Sequence, residues 1–333
     1  GSTRHVGPIR TSRVRRQLGR RVRAMRPVRS VAEQPSDPSR RASAGDLPEL
    51  AAVLAKAKAE NFSVGPGFLP PTVRADLMAI YGYARFVDDI GDETSTDAPG
   101  RLALLDLVDG DVTVLFAGRE PSLPPVRALV APVRAGRMPE EPLRRLVEAN
   151  RLDQQVSSYD TIDDLRHYCT LSADPVGRLV LAVISAATPE RIAWSDQVCT
   201  GLQLVEHWQD VAEDHARGRV YLPQVDMKRF GVTDADLGAP HATPALKSLL
   251  AFESARAREF LDAGVPLVKS ISGRPKLAIA GFVAGGRAAL HAIAAVDFDV
   301  LPGAPKSNSR RRVRETIGVL AGRLAPTETV TGR

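Results

Sequence analysis

The sequence predicts an all-α protein, a single helical bundle around a central cavity. Composition comes first: of 333 residues, 44% are hydrophobic but only 5% aromatic. Ala, Leu, Val and Arg are abundant, a mixture that favours helix over sheet. Second, from Leu47 onward, segments of helical period alternate with Gly/Pro breaks, and alternating Val/Ile/Thr strands with hairpin turns are absent. Third, two acidic clusters of similar design sit far apart in the chain: Asp88-Asp89-Ile90-Gly91-Asp92-Glu93 and Asp210-Val211-Ala212-Glu213-Asp214. Each reads as helix with carboxylates at i and i+4, which share one face about 5–6 Å apart at Cβ. Like charges there repel, so a cation is expected to offset them.

The N-terminal end is an arm. Residues 1–44 carry 12 Arg and 2 acids, and residues 306–333 carry 7 Lys/Arg and 2 Glu. Of the chain's net +6, the ends therefore hold +10 and +5, and the body between them is −9. An acidic body repels nucleic acid, so that partner is excluded. The organisation read from this is a basic disordered arm at 1–46, a catalytic body at 47–305 and a basic C-terminal tail at 306–333. The basic ends suit an anionic membrane surface. Two cysteines, Cys169 and Cys199, exclude a disulfide framework and fit a reducing, cytoplasmic compartment. No apolar run approaches the roughly 20 residues a membrane helix needs, so any membrane contact is expected to be peripheral.

Breaks at Gly65-Pro66-Gly67, Pro70-Pro71, Asp97 to Gly100, Glu120 to Pro125, Thr188-Pro189, Leu222 to Pro244 and Leu301 to Pro305 divide the body into about eight helices. The segment 222–245 has little helical pattern and reads as a lid or a surface loop. Gly285-Gly286 is not a nucleotide loop, lacking a preceding strand and a third glycine. The histidines have no metal-ligand spacing.

The clusters' surroundings carry the chemistry. Tyr81, Arg85, Asp88, Asp89 and Asp92 lie along the first helix. Gln203, Glu206 or His207, Asp210 and Asp214 form a polar stripe on the second, followed by Arg219 and Tyr221. Carboxylates on two facing helices are what several Mg²⁺ ions need to hold a diphosphate, with Mn²⁺ a substitute. The expected metal set is Asp88, Asp89, Asp92, Asp210, Glu213 and Asp214. Arg85 and Arg219 add charge-assisted bonds to the diphosphate. Ionising an allylic diphosphate also requires a dry apolar cavity to protect the cation.

These residues resemble the squalene/phytoene synthase family of head-to-head isoprenyl synthases. Its Tyr-x3-Arg-x2-Asp-x3-Asp pattern falls on Tyr81, Arg85, Asp88 and Asp92. Its Asp-x2-Glu-Asp pattern, followed by Arg-x-Tyr, falls on Asp210, Glu213, Asp214, Arg219 and Tyr221. Gln203 and Tyr168 match the family glutamine and middle Tyr motif. The resemblance spans about residues 47–305 and implies a class I terpenoid-synthase fold. It implies a prenyl diphosphate substrate, with Tyr81, Tyr168, Gln203 and Tyr221 positioning it, and Phe62, Ala173, Val176 and Gly177 against the prenyl chain. The small residues at 173 and 177 are expected to leave space for that chain.

Glu60-Asn61-Phe62-Ser63-Val64 and the Ser172 to Leu179 stretch look like the bacterial hopanoid-pathway branch. That branch includes hydroxysqualene synthase, which takes presqualene diphosphate and quenches its cation with water. NADPH is not expected, although reducing members of the family also lack a dinucleotide loop. One departure is Glu206, where the family commonly has Asn. The region of Gly285-Gly286 stands where some relatives place a Tyr, as if a bulky group had been exchanged for room. The alternatives are head-to-head condensation of two farnesyl diphosphates to presqualene diphosphate or squalene (or phytoene-type synthesis), head-to-tail elongation, a metal-dependent phosphohydrolase, and a non-catalytic lipid-binding bundle.

Overall fold

A computed structural model describes residues 47–56, 66–92 and 96–322, with the backbone of residues 26–27. The expected disordered arm, apart from that dipeptide's backbone, lies outside the described residues. So do Phe62, the stretch 60–64 and the end of the expected tail at 323–333.

The fold is all-α. Its helices are α1 (Leu50–Ala55), α2 (Pro71–Asp92), α3 (Ala98–Phe116), α4 (Pro124–Arg127), α5 (Val130–Arg134), α6 (Glu140–Asp153), α7 (Ile162–Ser172) and α8 (Asp174–Val183). Then follow α9 (Pro189–Gln209), α10 (Val211–Ala216), α11 (Gln224–Phe230), α12 (Asp234–Leu237), α13 (Pro244–Ala263), α14 (Val265–Ser270), α15 (Gly273–Ala295) and α16 (Ser309–Leu320). Among the described residues the strands are β1 (Arg26–Pro27) and β2 (Val156–Ser158), paired antiparallel.

The predicted breaks work as helix starts. Asp97, Thr188 and Thr243 cap α3, α9 and α13 by accepting from the backbone N–H three residues on, and proline follows in each first turn. The proline has no N–H to leave orphaned. Thr161 and Asp164 form a reciprocal capping box on α7.

In α2, Leu77, Ile80, Tyr83, Val87 and Ile90 recur every three or four residues, and all are buried. They seat α2 against α3 and α6, and the Tyr83 hydroxyl donates to the Leu143 carbonyl at 3.0 Å. Full burial of each such side chain contributes about 1.5–3 kcal/mol. On the other side, α9 packs along α13 and α8. The two long helices that bear the acidic clusters thus belong to one bundle, with α8 between them.

Segment 222–245 is neither lid nor surface loop: Leu222, Met227, Val232, Leu237 and Ala242 are buried in the largest core cluster. Within the expected C-terminal tail, Ser309–Leu320 is a helix that packs on α15 and buries Val319. Finally, Gly273–Ala295 is long and apolar enough to cross a membrane by length and composition, but 67% of its most apolar stretch is buried. It serves here as a core helix. A Cβ on Gly286 would lie 2.8 Å from Leu202 Cδ2 and 2.9 Å from Leu261 Cδ1. The glycine therefore permits close packing of α15 on α9 and α13, and leaves no added room.

Candidate active site

A cavity of about 210 Å³ lies among α2, α7, α8, α9 and α15. Leu77, Ile80, Val176, Val180, Leu202 and Phe282 supply its apolar walls, and Tyr81, Arg85, Asp88, Gln203 and Glu206 its polar lining. The polar groups lie toward the C-terminal ends of α2 and α9, after the apolar residues of the same helices. Asp92 is the last residue of α2, and Asp210 caps the end of α9. The helix macrodipole is negative there, so a carboxylate at either end calls for a cation.

The second cluster is not one straight helix. The chain leaves α9 at Asp210 (φ −104°, ψ 18°) and re-enters helix as α10. The bond from Asp214 N to Asp210 O survives at 2.8 Å, so the i,i+4 relation persists across the break.

Neighbouring carboxylates are sorted by face. The Asp88 side chain accepts from Asn150 Nδ2 at 3.0 Å, and burial, opposed by that bond but assisted by Asp92, pushes it up to about 6. Burial, Asp214 and Glu213 push Asp210 up to about 6 as well. Asp89, one residue from Asp88, is 3% exposed and lies 3.0 Å from Lys56 Nζ and 3.1 Å from Arg85 Nε. It is neutralised by two cations, and it ties α1 to α2 and holds Arg85. Glu213 is exposed and pairs with Arg217 at 2.8 Å.

Arg219 joins the two motifs. Its Nη1 donates to Asp92 Oδ1 at 2.5 Å across 127 residues. Burial works against its charge, but the Tyr221 oxygen and the carboxylates of Asp153 and Asp92 outweigh burial and hold the guanidinium protonated.

The sequence reading misses Asn150, Asp153 and Tyr159, and holds His207 only as an alternative to Glu206. Asn150 and Asp153, one turn apart on α6, face the first cluster from the side. The Tyr168 hydroxyl donates to Asp153 Oδ2 at 2.8 Å, while Asp153 Oδ1 is buried with no hydrogen-bond partner. Burial, opposed by Arg219 but assisted by Asp92, pushes Asp153 up to about 7. Tyr159 and His207 complete an aromatic group with Tyr168 and Tyr221. The His207 and Tyr221 rings stack at 3.6 Å, and Tyr159 lies 5.4 Å from Tyr168 and 5.8 Å from Tyr221, centroid to centroid. Gln203 Nε2 is 3.2 Å from His207 Nε2, and His207 Nδ1 is 3.8 Å from Asp214 Oδ2. The four-residue spacing from Gln203 is the available signal for His207. Nothing local marks the other three.

Ala173 and Val176 line the cavity as expected, but Gly177 does not. A Cβ there would meet Ser195 Oγ at 2.3 Å and Cys199 Sγ at 2.5 Å. Its missing side chain lets α8 approach α9 closely and leaves no prenyl space.

Among the described residues, no three His, Cys, Asp or Glu side chains converge on one metal position. The donors still fit Mg²⁺ or Mn²⁺. All are hard carboxylate oxygens, burial holds Asp88 and Asp210 above the usual carboxylate range, and Asp153 Oδ1 is buried without a hydrogen-bond partner. Mg²⁺ commonly takes only one or two protein carboxylates and completes its shell with water and phosphate oxygens.

The squalene/phytoene synthase family pattern matches residues 55–315. A hydroxysqualene synthase of Rhodopseudomonas palustris is 34% identical over 213 residues, covering 64% of this chain and 71% of that one. A phytoene synthase of Arthrospira platensis is 30% identical over 232 residues, covering 66% and 74%. Among solved structures, the squalene synthase HpnC of Alicyclobacillus acidocaldarius superposes with a TM-score of 0.66 at 39% identity, covering 76% of this chain and 98% of that one. A dehydrosqualene synthase in complex with ligand shares the fold, with a TM-score of 0.73 at 22% identity and coverages of 82% and 95%.

Proposed function

This chain belongs to the squalene/phytoene synthase family, and we propose that it ionises presqualene diphosphate and lets water capture the cation, giving hydroxysqualene, diphosphate and a proton. The observation that carries the proposal is the continuous cavity in which Arg85, Asp88, Gln203 and Glu206 lead directly into walls of Leu77, Ile80, Val180 and Phe282. A diphosphate head and a prenyl tail need that succession. The 34% identity to a hydroxysqualene synthase supports the water-quenching branch.

Asp88, Asp92, Asp210 and Asp214 would hold Mg²⁺, which when bound neutralises charge developing on the diphosphate oxygens. Arg85 and Arg219 grip the diphosphate by charge-assisted bonds. Arg219 leaves Asp92 to do so. The apolar walls exclude bulk water from the cation. The Tyr159, Tyr168, Tyr221 and His207 rings form a rigid wall beside the carboxylates, and Asp153 holds Tyr168 in its place.

The test is incubation of the purified protein with Mg²⁺ and either presqualene or farnesyl diphosphate, with and without NADPH, followed by mass analysis of extracted lipid. Hydroxysqualene from presqualene diphosphate, with farnesyl diphosphate inert, is the expected result. Presqualene diphosphate or squalene formed from farnesyl diphosphate would transfer the chain to the condensing branch. No turnover of either would overturn the reading.

A further inference from the structure

The C-terminal helix α16 presents a face that the bundle leaves uncovered. Val313 and Ile317, one turn apart, are 60% and 63% exposed, the two most exposed large apolar side chains among the described residues. Arg310 and Arg314 are exposed on the same side, at i, i+3, i+4 and i+7 spacing with Val313 and Ile317. Neither arginine forms an ion pair among the described residues. The opposite side is firmly held. Val319 is fully buried in the core cluster that includes Val283 and Ala284 of α15, and Glu315 lies 3.2 Å from His291 of α15 and 3.4 Å from Arg311. The helix is therefore fixed with its mixed face outward.

We propose that this face docks on an anionic lipid bilayer, with Val313 and Ile317 entering the headgroup boundary and Arg310 and Arg314 meeting lipid phosphates. Charge selects this occupant. The segment 306–333 carries a net +5 against a body of −9, so positive charge is gathered where the exposed apolar pair stands. Interfacial helices combine these two features, arginine beside apolar side chains on a helix that lies in the membrane plane. Position supports it as well. α16 packs on α15, and Phe282 of α15 lines the cavity, so the docked bilayer lies one helix layer from the cavity. The proposal does not depend on which prenyl diphosphate is the substrate.

The experiment uses the full chain with vesicles of phosphatidylcholine alone or mixed with phosphatidylglycerol. Because the arm at 1–46 is also basic, the readout must be local to α16. The indole introduced by Ile317→Trp is expected to be quenched by spin-labelled lipid in the anionic vesicles, beyond the parent's own tryptophans, and not in neutral ones. Val313→Ser with Ile317→Ser is expected to lower partition into anionic vesicles about tenfold at unchanged melting temperature. Arg310→Gln with Arg314→Gln should weaken binding and flatten its salt dependence. Vesicle binding by the Ile317→Trp variant with the introduced indole unquenched overturns the proposal, since the arm alone then binds. A concentration-dependent dimer lost in the double serine variant, without vesicle capture, also overturns it and assigns the face to a second copy of the chain.

Discussion

Arg219 and Asp92 stand 127 residues apart and make a 2.5 Å charge-assisted hydrogen bond that closes the site between the two acidic motifs. The arginine occupies a carboxylate that, in the proposed reaction, a metal ion takes while the diphosphate takes the arginine. Arg219→Gln should reduce kcat/KM by about 10²–10³, the usual loss for a donor aimed at developing negative charge. Arg219→Lys should recover only part of it, because an ammonium lacks the planar fork. Steady-state kinetics on presqualene diphosphate check both.

Asn150 fixes Asp88, and Gly91 makes room for Asn150. A Cβ on Gly91 would fall 2.3 Å from Asn150 Oδ1. Gly91→Ala should destabilise the fold by about 1–3 kcal/mol through overpacking and release Asp88 from its donor. Asn150→Ala should relieve the clash in the double variant, so that the two changes are non-additive in thermal unfolding.

Adjacent carboxylates should separate by function. Asp88→Asn is expected to abolish turnover and weaken Mg²⁺-dependent diphosphate binding in calorimetry. Asp89→Asn should leave that binding within about threefold while costing on the order of 1–3 kcal/mol of stability, as it leaves Lys56 and Arg85 without their buried partner. Equal loss of metal-dependent binding in both variants would place Asp89 in the metal set.

Asp153 should make the metal-free protein sensitive to pH. Its carboxyl is raised to about 7 from the ordinary value near 4, chiefly by burial. The folded state therefore holds the proton more tightly than the unfolded state, and stability falls as pH rises from about 4 through about 7. Asp153→Asn keeps an acceptor for Tyr168 and removes the ionisation. Its stability relative to the parent should grow by on the order of 2 kcal/mol between pH 5 and pH 8, read from denaturant unfolding in chelator. An unchanged difference across that range would show that Asp153 does not carry the pH dependence.

Much of the site was legible because its residues announce themselves by local spacing. Asp88 and Asp92, Gln203 and Asp210, and Arg219 and Tyr221 fall within short motifs, and the structure brings Asp88 and Gln203 to one cavity and Arg219 to Asp92. Asn150, Asp153 and Tyr159 were not legible. Each reaches the site through contacts with partners distant in sequence or from an ordinary helix, and no local pattern records such contacts.

The sequence by itself determined the helical class, the breaks that start α3, α9 and α13, the acidic body between basic ends and the two motifs that name the chemistry. These follow from propensity, capping and periodicity, which act within a few residues. Only the tertiary structure decided what each member of an acidic cluster meets. One residue turns a helix by about 100°, so Asp88 meets Asn150 while Asp89 turns to Lys56, and Asp214 meets His207 while Glu213 turns to Arg217. Packing likewise decided that Gly177 and Gly286 admit neighbouring helices instead of a prenyl chain. A missing Cβ is visible in a sequence, but what fills its place is set by the helix across from it.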